Sequence, residues 1–287
     1  MEAFLTAFVG FGTLAVALTS ALVAAQRRLA VDEDPRLDEV EAMLPGTNCG
    51  ACGSPGCRAF AAELLAGRAA PAGCTVSTAA ARQGLADHLG VDVGVAVQRV
   101  ARLACAGGSN VARSRARYRG LRSCAAEATV SGGSKGCAFG CLGLGDCARA
   151  CHFDAITLDA HDLPIVDESR CTACGDCVTA CPKDLLSLQP RRARLWVACA
   201  SPLLGDEALL HCDVGCNACG RCAADEPALI QMRAGLPVVD AGRPHPTDRA
   251  IQRCPTGAIV WLDHGRRVRG DAALPILRQR PRPRAET

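Results

Sequence analysis

The stretch Cys171-Thr-Ala-Cys174-Gly-Asp-Cys177-Val-Thr-Ala-Cys181-Pro182 decides the fold of this chain. Its spacing, C-x2-C-x2-C-x3-C-P, is the run that binds an iron–sulfur cluster, and its fourth cysteine normally serves a neighbouring cluster. Three thiolates at two-residue gaps suit three irons of one cubane, whereas structural zinc prefers pairs of C-x2-C units separated by a spacer. The stretch therefore indicates an iron–sulfur protein that transfers electrons.

Composition narrows the class of protein further. The chain has 287 residues and 20 cysteines, most of them in tight groups. A disulfide framework suits small secreted domains, whereas a chain of this length buries a core unaided, and free thiols favour a reducing compartment. A net charge of +3 and an aromatic content of 3% argue against a nucleic-acid partner, because single strands are bound on aromatic side chains and basic grooves.

Residues 1–28 are predicted to form a single transmembrane anchor. The run from Ala3 to Ala25 contains no charge, and as a helix it spans about 34 Å, enough for a hydrocarbon core of about 30 Å. A cleaved signal peptide would have a basic start and a shorter apolar run, and a buried soluble helix would show a polar face. Arg27 and Arg28 follow the run, so the positive-inside rule predicts an inner-membrane protein with its bulk in the cytoplasm.

The first cysteine group predicts a small helical domain over residues 29–90. Its context is LPGTNCGACGSPGCRAFAAELLAG, in which the glycines let the backbone turn tightly beside bound sulfide. An amphipathic helix is predicted from Arg58 to Ala66, ending at Gly67. The expected ligands of one [4Fe–4S] cluster are Cys49, Cys52, Cys57 and Cys74.

Residues 136–190 are predicted to form a two-cluster ferredoxin domain. A second, looser cysteine group precedes the opening stretch, and the segments 155–158 and 164–167 between them are predicted to be short strands. In two-cluster ferredoxins the last cysteine of each run ligates the other cluster. The expected ligands of one cluster are Cys137, Cys141, Cys147 and Cys181. Those of the other cluster are Cys151, Cys171, Cys174 and Cys177.

Residues 191–265 are interpreted as a degenerate copy of the same domain that keeps one cluster. Glu226-Pro227 stands where a Cys-Pro pair would follow the third cysteine. Under crossed ligation the losses fall on one cluster only. The ligands retained for the other cluster are Cys216, Cys219, Cys222 and Cys254. The segment 266–287 is rich in Arg and Pro and is predicted to be a disordered tail.

Four cysteines remain outside these sets. They form a second repeat, because Leu-Ala-Cys-Ala and Val-Ala-Cys-Ala each precede one of the later groups and each is followed by another cysteine. The four are Cys105, Cys124, Cys199 and Cys212. The first two lie in a connecting region over residues 91–135. Buried free thiols, a further cluster and a redox-active pair all remain open for these positions.

With these motifs in hand, the chain resembles the B subunits of the Rnf complex, an ion-translocating ferredoxin:NAD oxidoreductase. The resemblance rests on DPRLDEVEAMLPGTNCGACGSPGC (Asp34 to Cys57) and GCAFGCLGLGDCARACHFDAI (Gly136 to Ile156). It implies an α+β protein with one N-terminal transmembrane helix, a small helical 4Fe-4S domain and two ferredoxin-like iron–sulfur domains, the second degenerate. About four [4Fe–4S] clusters are expected.

The resemblance also implies a role. Reduced ferredoxin would give electrons to this subunit, which would relay them to membrane and peripheral subunits that carry flavin and bind NAD, and the complex would move Na⁺ or H⁺. The alternatives are a complex that reduces a redox-sensing transcription factor and a ferredoxin-like subunit of another membrane oxidoreductase. The basic stretches Pro190–Arg194 and Arg113–Arg122 are either a docking surface for acidic ferredoxin or a solvated basic face.

Overall fold

A long exposed helix precedes the compact part of the chain. The structure, a computed structural model, describes residues 2–29, 34–95, 97–263 and 265–276. Helix α1 spans Glu2–Leu29. Its segment Phe8–Arg28 has a mean hydropathy of 2.0, is long and apolar enough to cross a membrane, and is not buried against the rest of the chain. The uncharged N-terminal run therefore forms the single helix that its length predicts.

The first cysteine group lies in a small unit of short helices. The helices are α2 (Leu37–Ala42), α3 (Cys57–Leu65) and α4 (Ala79–Leu89), with a 3-10 turn over Pro71–Gly73. Their apolar faces meet in a core that contains Val40, Phe60, Leu64 and Leu85. Helix α3 begins one residue before the predicted start and ends one residue before the predicted end. This unit holds the glycine-rich cysteine loop on one side of its core.

In the ferredoxin region, the first and last strands pair with each other, and three short helices lie between them in the sequence. Its elements are β1 (Arg99–Leu103), α5 (Cys124–Thr129), α6 (Asp146–Arg149), β2 (Ile156–Leu158), β3 (Pro164–Val166), α7 (Asp176–Thr179) and β4 (Leu186–Pro190). Strand β1 runs antiparallel to β4 from Arg99↔Pro190 to Leu103↔Leu186. Strands β2 and β3 form the antiparallel pair that the sequence predicted. Their apolar residues share one core with Cys147 of α6 and Cys177 of α7.

The C-terminal region shows the same order of elements. Its elements are β5 (Leu195–Val197), α8 (Gly205–His211), α9 (Arg221–Asp225), β6 (Ile230–Arg233), β7 (Leu236–Val239), α10 (Arg249–Gln252), β8 (Ile259–Asp263) and β9 (Arg266–Val268). The succession α9, β6, β7, α10 matches the succession α6, β2, β3, α7. Strands β6 and β7 form a hairpin, and β5, β8 and β9 form a three-stranded sheet in that order.

Two expectations about segment boundaries are wrong. Residues 266–276 are not a disordered tail, because β9 pairs with β8 and the Arg267 guanidinium donates to the backbone oxygen of Cys105 at 2.9 Å. Only 277–287 of the predicted tail lie outside the described residues. The segment 91–135 is more than a connection, since β1 supplies one edge of the ferredoxin region through its pairing with β4. Strand β1 was not predicted, because its partner β4 lies far along the chain and the local sequence contains no strand pattern.

The ferredoxin and C-terminal regions are joined by backbone contacts near Cys105. The Ala106 N–H donates to the oxygen of Ala198 at 2.9 Å, and the indole N–H of Trp196 donates to the oxygen of Leu103 at 2.8 Å. Ala112 forms an isolated antiparallel bridge with Cys212. The segment after β1 therefore lies directly against the segment after β5.

Candidate iron–sulfur centres

The opening stretch of the sequence forms the expected loop around a cavity. The cavity is lined by Cys151, Cys171, Cys174 and Cys177, together with apolar residues. Ala173 and Gly175 have φ values of +59° and +95°, so the loop turns through left-handed conformations before α7 begins. The Ala155 N–H donates to Sγ of Cys151 at 3.3 Å. This group has the same four members as the set that crossed ligation predicts, and we call it the third site.

A second cavity differs from the expected grouping by one cysteine. It is lined by Cys124, Cys141, Cys147 and Cys181. Cys137, which spacing placed here, lines a different cavity. We call this four-cysteine group the second site.

The reason for the difference is the position of helix α5. Asp146, at the start of α6, accepts the backbone N–H groups of Cys124 and Ala125 at 2.9 and 3.0 Å and the Ser123 hydroxyl at 2.9 Å. Burial alone would raise the pKa of this carboxyl, but these hydrogen bonds hold it below its ordinary value. The hydrogen bonds to the ionised Asp146 thus hold Cys124 close to Cys147, which lies on α6. A tertiary contact, and not local spacing, therefore determines that Cys124 lines this cavity.

The cysteines of the C-terminal region repeat the geometry of the third site. Ala218 and Gly220 have φ values of +59° and +72°, in the positions that Ala173 and Gly175 occupy in the earlier loop. Burial raises the pKa of the Cys216 thiol to about 12, and the neighbouring Cys199, Cys222 and Cys254 thiols add to the rise. The group that we call the fourth site is Cys216, Cys219, Cys222 and Cys254. Cys222 and Cys254 lie in one core with Cys216 packed against it, so the distant Cys254 is close to the loop.

The glycine-rich loop of the N-terminal unit forms what we call the first site. Its cysteines are Cys49, Cys52, Cys57 and Cys74. Cys52, Cys57 and Cys74 pack on one core. The Asn48 side chain accepts the Cys57 N–H at 2.7 Å at the start of α3, and the Ser77 hydroxyl donates to Sγ of Cys74 at 3.1 Å. Both contacts hold cysteine positions that the sequence predicted as ligands.

A further cavity lies between the ferredoxin and C-terminal regions. Its cysteines are Cys105, Cys137, Cys199 and Cys212. Three of these are among the positions whose role the sequence left open, and the fourth is the cysteine displaced from the second site. We call this group the central cavity.

The donor chemistry fits clusters better than single ions. Among the described residues, no three His, Cys, Asp or Glu side chains converge closely enough to hold one metal ion. A tetrahedral zinc site would need sulfur atoms at about 2.3 Å from one centre. Four thiolates spread around a cavity suit a cubane, in which each binds a different iron.

The basic stretches are partly used by the fold. The Arg113 guanidinium donates to the oxygen of Leu209 at 3.2 Å, and Arg115 donates to that of Gly133 at 3.1 Å. Arg194 pairs with Asp263 at 2.9 Å and lies over the ring of Trp261. These three arginines fix neighbouring loops, so part of the basic character of the two stretches has a structural cause.

Comparison with known proteins agrees with this geometry. Residues 44–76 match the family described as "Putative Fe-S cluster", and residues 136–185 match the family "4Fe-4S dicluster domain". The first match covers the loop of the first site. The second covers the region that contributes three cysteines to the second site and all four to the third.

The chain is also similar to named proteins over most of its length. It is 40% identical over 195 residues to the B subunit of the Na(+)-translocating ferredoxin:NAD(+) oxidoreductase complex of Acetobacterium woodii, and the match covers 68% of this chain and 59% of that one. It is 33% identical to the B subunit of the ion-translocating oxidoreductase complex of Methanosarcina acetivorans, covering 83% of this chain and 90% of that one. The B subunit of the proton-translocating ferredoxin:NAD(+) oxidoreductase complex of Clostridium ljungdahlii is 36% identical, with coverage of 83% and 86%. The chain therefore belongs to the family of iron–sulfur, electron-relay B subunits of ion-translocating oxidoreductase complexes.

Proposed function

We propose that this chain accepts electrons from reduced ferredoxin and passes them to flavin- and NAD-binding partner subunits of a membrane complex that translocates ions. The names of two relatives, both from ferredoxin:NAD(+) oxidoreductase complexes, support the donor and the acceptor. The single observation that carries the proposal is that four cysteines line each of two apolar cavities in the ferredoxin region. When bound there, [4Fe–4S] clusters supply one-electron redox chemistry.

We assign one cluster to each of the four sites. Cys147 of the second site and Cys177 of the third support a short step between the two sites, because both lie in one core. The region over residues 191–265 is proposed to be a second ferredoxin-like unit that retains one cluster, which its matching element order and loop conformation support. Closely spaced redox sites are what a relay requires.

The backbone contributes to the redox properties of the sites. The Ala155 N–H points to Sγ of Cys151, and the Leu185 N–H points to Sγ of Cys181 at 3.4 Å. Hydrogen bonds to ligand sulfur stabilise the additional negative charge of the reduced state and raise the reduction potential. The chain thereby adjusts the second and third sites with backbone donors, which among single substitutions only proline would remove.

The membrane arrangement is also part of the proposal. Helix α1 is proposed to cross the inner membrane once, with the cysteine-containing units on the cytoplasmic side. The exposed apolar segment Phe8–Arg28 supports an embedded helix. Arg27 and Arg28 at its C-terminal end support the cytoplasmic placement, since basic residues accumulate on that side.

The test uses the full chain, purified without oxygen in detergent. Reduced ferredoxin is added, and the loss of visible cluster absorbance and the appearance of low-temperature EPR signals are followed. We expect the clusters of the wild-type chain to be reduced when ferredoxin is added. In Cys177→Ala the EPR signal of the third-site cluster should be missing. A chain that carries its full iron and sulfide but is not reduced by ferredoxin would overturn the proposed donor. Zinc without sulfide would overturn the assignment of clusters.

A further inference from the structure

We propose that the central cavity binds a fifth [4Fe–4S] cluster, held by Cys105, Cys137, Cys199 and Cys212. This assignment places all 20 cysteines of the chain in five sets of four. The site itself follows from the geometry of the cavity. Its use as a link for electrons rests on the proposed function.

The four cysteines reach the cavity from separate parts of the chain. Cys105 follows β1, Cys137 lies between α5 and α6, Cys199 follows β5 and Cys212 follows α8. Two are fully buried and two are half-buried. Four thiols delivered to one cavity from four segments are not the result of a local sequence repeat. The tertiary structure brings these four segments together at the central cavity.

Gly107 shows how closely the sulfur atoms enclose the space. A Cβ added to Gly107 would lie 3.2 Å from Sγ of Cys212 and 3.6 Å from Sγ of Cys105. The Gly107 N–H also donates to Sγ of Cys105 at 3.4 Å. A glycine is needed here because the backbone passes between two of the proposed ligands and offers a donor to one of them.

The size of the cavity matches that of an expected cluster site. The space between its walls, open solvent included, is about 400 Å³, compared with about 390 Å³ for the second site on the same definition. A disulfide would join only two of the four thiols and would need an oxidant. Zinc would need the sulfur atoms drawn together around one ion, and no such convergence exists among the described residues. A cubane would use all four of the thiols that line the cavity, one for each iron.

A buried ammonium offers compensation for the charge of a cluster. Lys135 lines the cavity and is 5% exposed, and its ammonium donates to the backbone oxygens of Gly107 and Cys141. Four thiolates and a cubane carry net negative charge, so a nearby fixed cation lowers the cost of burying them. A lysine almost never lies this deep without such a partner.

Two hydrogen bonds connect the central cavity to its neighbours. The Cys141 N–H, from the second site, donates to Sγ of Cys105 at 3.5 Å. The Cys216 N–H, from the fourth site, donates to Sγ of Cys199 at 3.4 Å. The central cluster therefore lies between two sites that would otherwise be separated by an interface. One electron leaving a neighbouring cluster, which is thereby oxidised, would reduce this one by one electron, and its onward transfer restores the starting state.

The test is an iron and sulfide count on the full chain, purified without oxygen. We expect about twenty of each per chain, and about four fewer of each in the double variant Cys105→Ala with Cys212→Ala. The matched control is Cys216→Ala with Cys219→Ala, which should lose the same amount from a different site. EPR of the two variants should then lack different signals.

Gly107→Ala tests the site without removing a ligand, in case the double variant does not fold. Its methyl group would crowd the bound cluster, so we expect a shifted EPR signal or loss of about four irons, with the other signals unchanged. About sixteen irons in the wild-type chain, together with four thiols that an alkylating reagent modifies, would overturn the proposal. So would one zinc per chain in place of four irons. Failure of reduction by ferredoxin with about twenty irons present would contradict only the proposed function.

Discussion

Single cysteines in this chain take their role from tertiary contacts as much as from spacing. Local spacing groups the third site as the structure does, since Cys171, Cys174 and Cys177 follow each other at two-residue gaps. It misplaced Cys137, because a gap of three residues before Cys141 is compatible with several sites. The carboxylate of Asp146 brings Cys124 to the second site from a segment that contains no motif.

Replacing Cys124 tests that assignment. We expect Cys124→Ala to change the EPR signal of the second-site cluster, or to convert it to a form with fewer irons, because one of its four ligands is lost. Cys137→Ala is the companion variant and should leave that signal intact while it alters the central cavity. The opposite pattern, with Cys137 controlling the second-site signal, would return the grouping to the one that spacing predicts.

The buried thiols also predict a dependence on pH. Burial raises the pKa of Cys177 to about 12, with the nearby Cys171 and Cys174 thiols adding to the rise. Because this folded value exceeds the ordinary 9.0, the iron-free fold is stabilised below pH 9 and loses that contribution as the pH rises towards the folded value. Iron must displace the protons, so its retention weakens as pH falls.

The apparent affinity of a site for iron is expected to fall about tenfold per thiol for each unit by which the pH is lowered. Iron release to a chelator, followed by visible absorbance without oxygen, should be faster at pH 6 than at pH 8. Equal release at the two values would show that the ligands bind without losing protons, contrary to the chemistry of thiolate ligation.

Among the secondary-structure elements, those with a local signal follow the sequence closely. Helix α3 and the β2–β3 pair lie within one residue of their predicted bounds. Strands β1 and β9 had no such signal, since their partners are β4 and β8 and their identity depends on pairing. The Arg-rich segment Arg266–Val268 has the composition of a disordered tail. It forms a strand because β8 supplies hydrogen-bond partners for its backbone.

Helix α4 provides a test of element stability. Gly84 lies inside it, has no φ in the left-handed region and has open space where a Cβ would stand. We expect Gly84→Ala to stabilise the N-terminal unit by about 0.5–1 kcal/mol, since glycine costs about that much inside a helix. Gly90, the C-cap at φ +66°, is the control. Gly90→Ala should destabilise the same unit, and equal effects of the two variants in thermal unfolding would contradict the argument.

For the molecule as a whole, the sequence predicted the order of its parts better than their connections. The anchor, the helical unit and the ferredoxin region stand in the predicted order. The joint between the ferredoxin and C-terminal regions was not predicted, because its contacts link Leu103 and Ala106 to residues near Trp196 and Ala198. Such pairs leave no periodic signal. The unassigned cysteine repeat was the only trace of the joint in the sequence.

The anchor can be tested in the full chain. Leu14 and Leu18 are exposed on α1, near the middle of the apolar segment. Leu14→Arg with Leu18→Arg should cost about 2.5–3.5 kcal/mol per residue at a bilayer centre and shift the chain from the membrane to the soluble fraction. Leu14→Ile with Leu18→Ile is the control and should stay in the membrane. A charged variant that resists alkaline extraction as the wild type does would contradict the placement of Leu14 and Leu18 at the centre of a bilayer.

The central cavity has a consequence for synthesis of the protein. Cys105 leaves the ribosome well before Cys212, by about 5 to 20 seconds at ordinary elongation rates. The second and third sites have all their proposed ligands once Cys181 has emerged, whereas the central one lacks its fourth until Cys212, which follows α8, has emerged. Because metal binding and folding are coupled, loading of the central site becomes the last common step of both regions. When iron is short, the first defect would then be that the C-terminal region does not dock on the ferredoxin region, in a nascent chain whose earlier clusters are already in place.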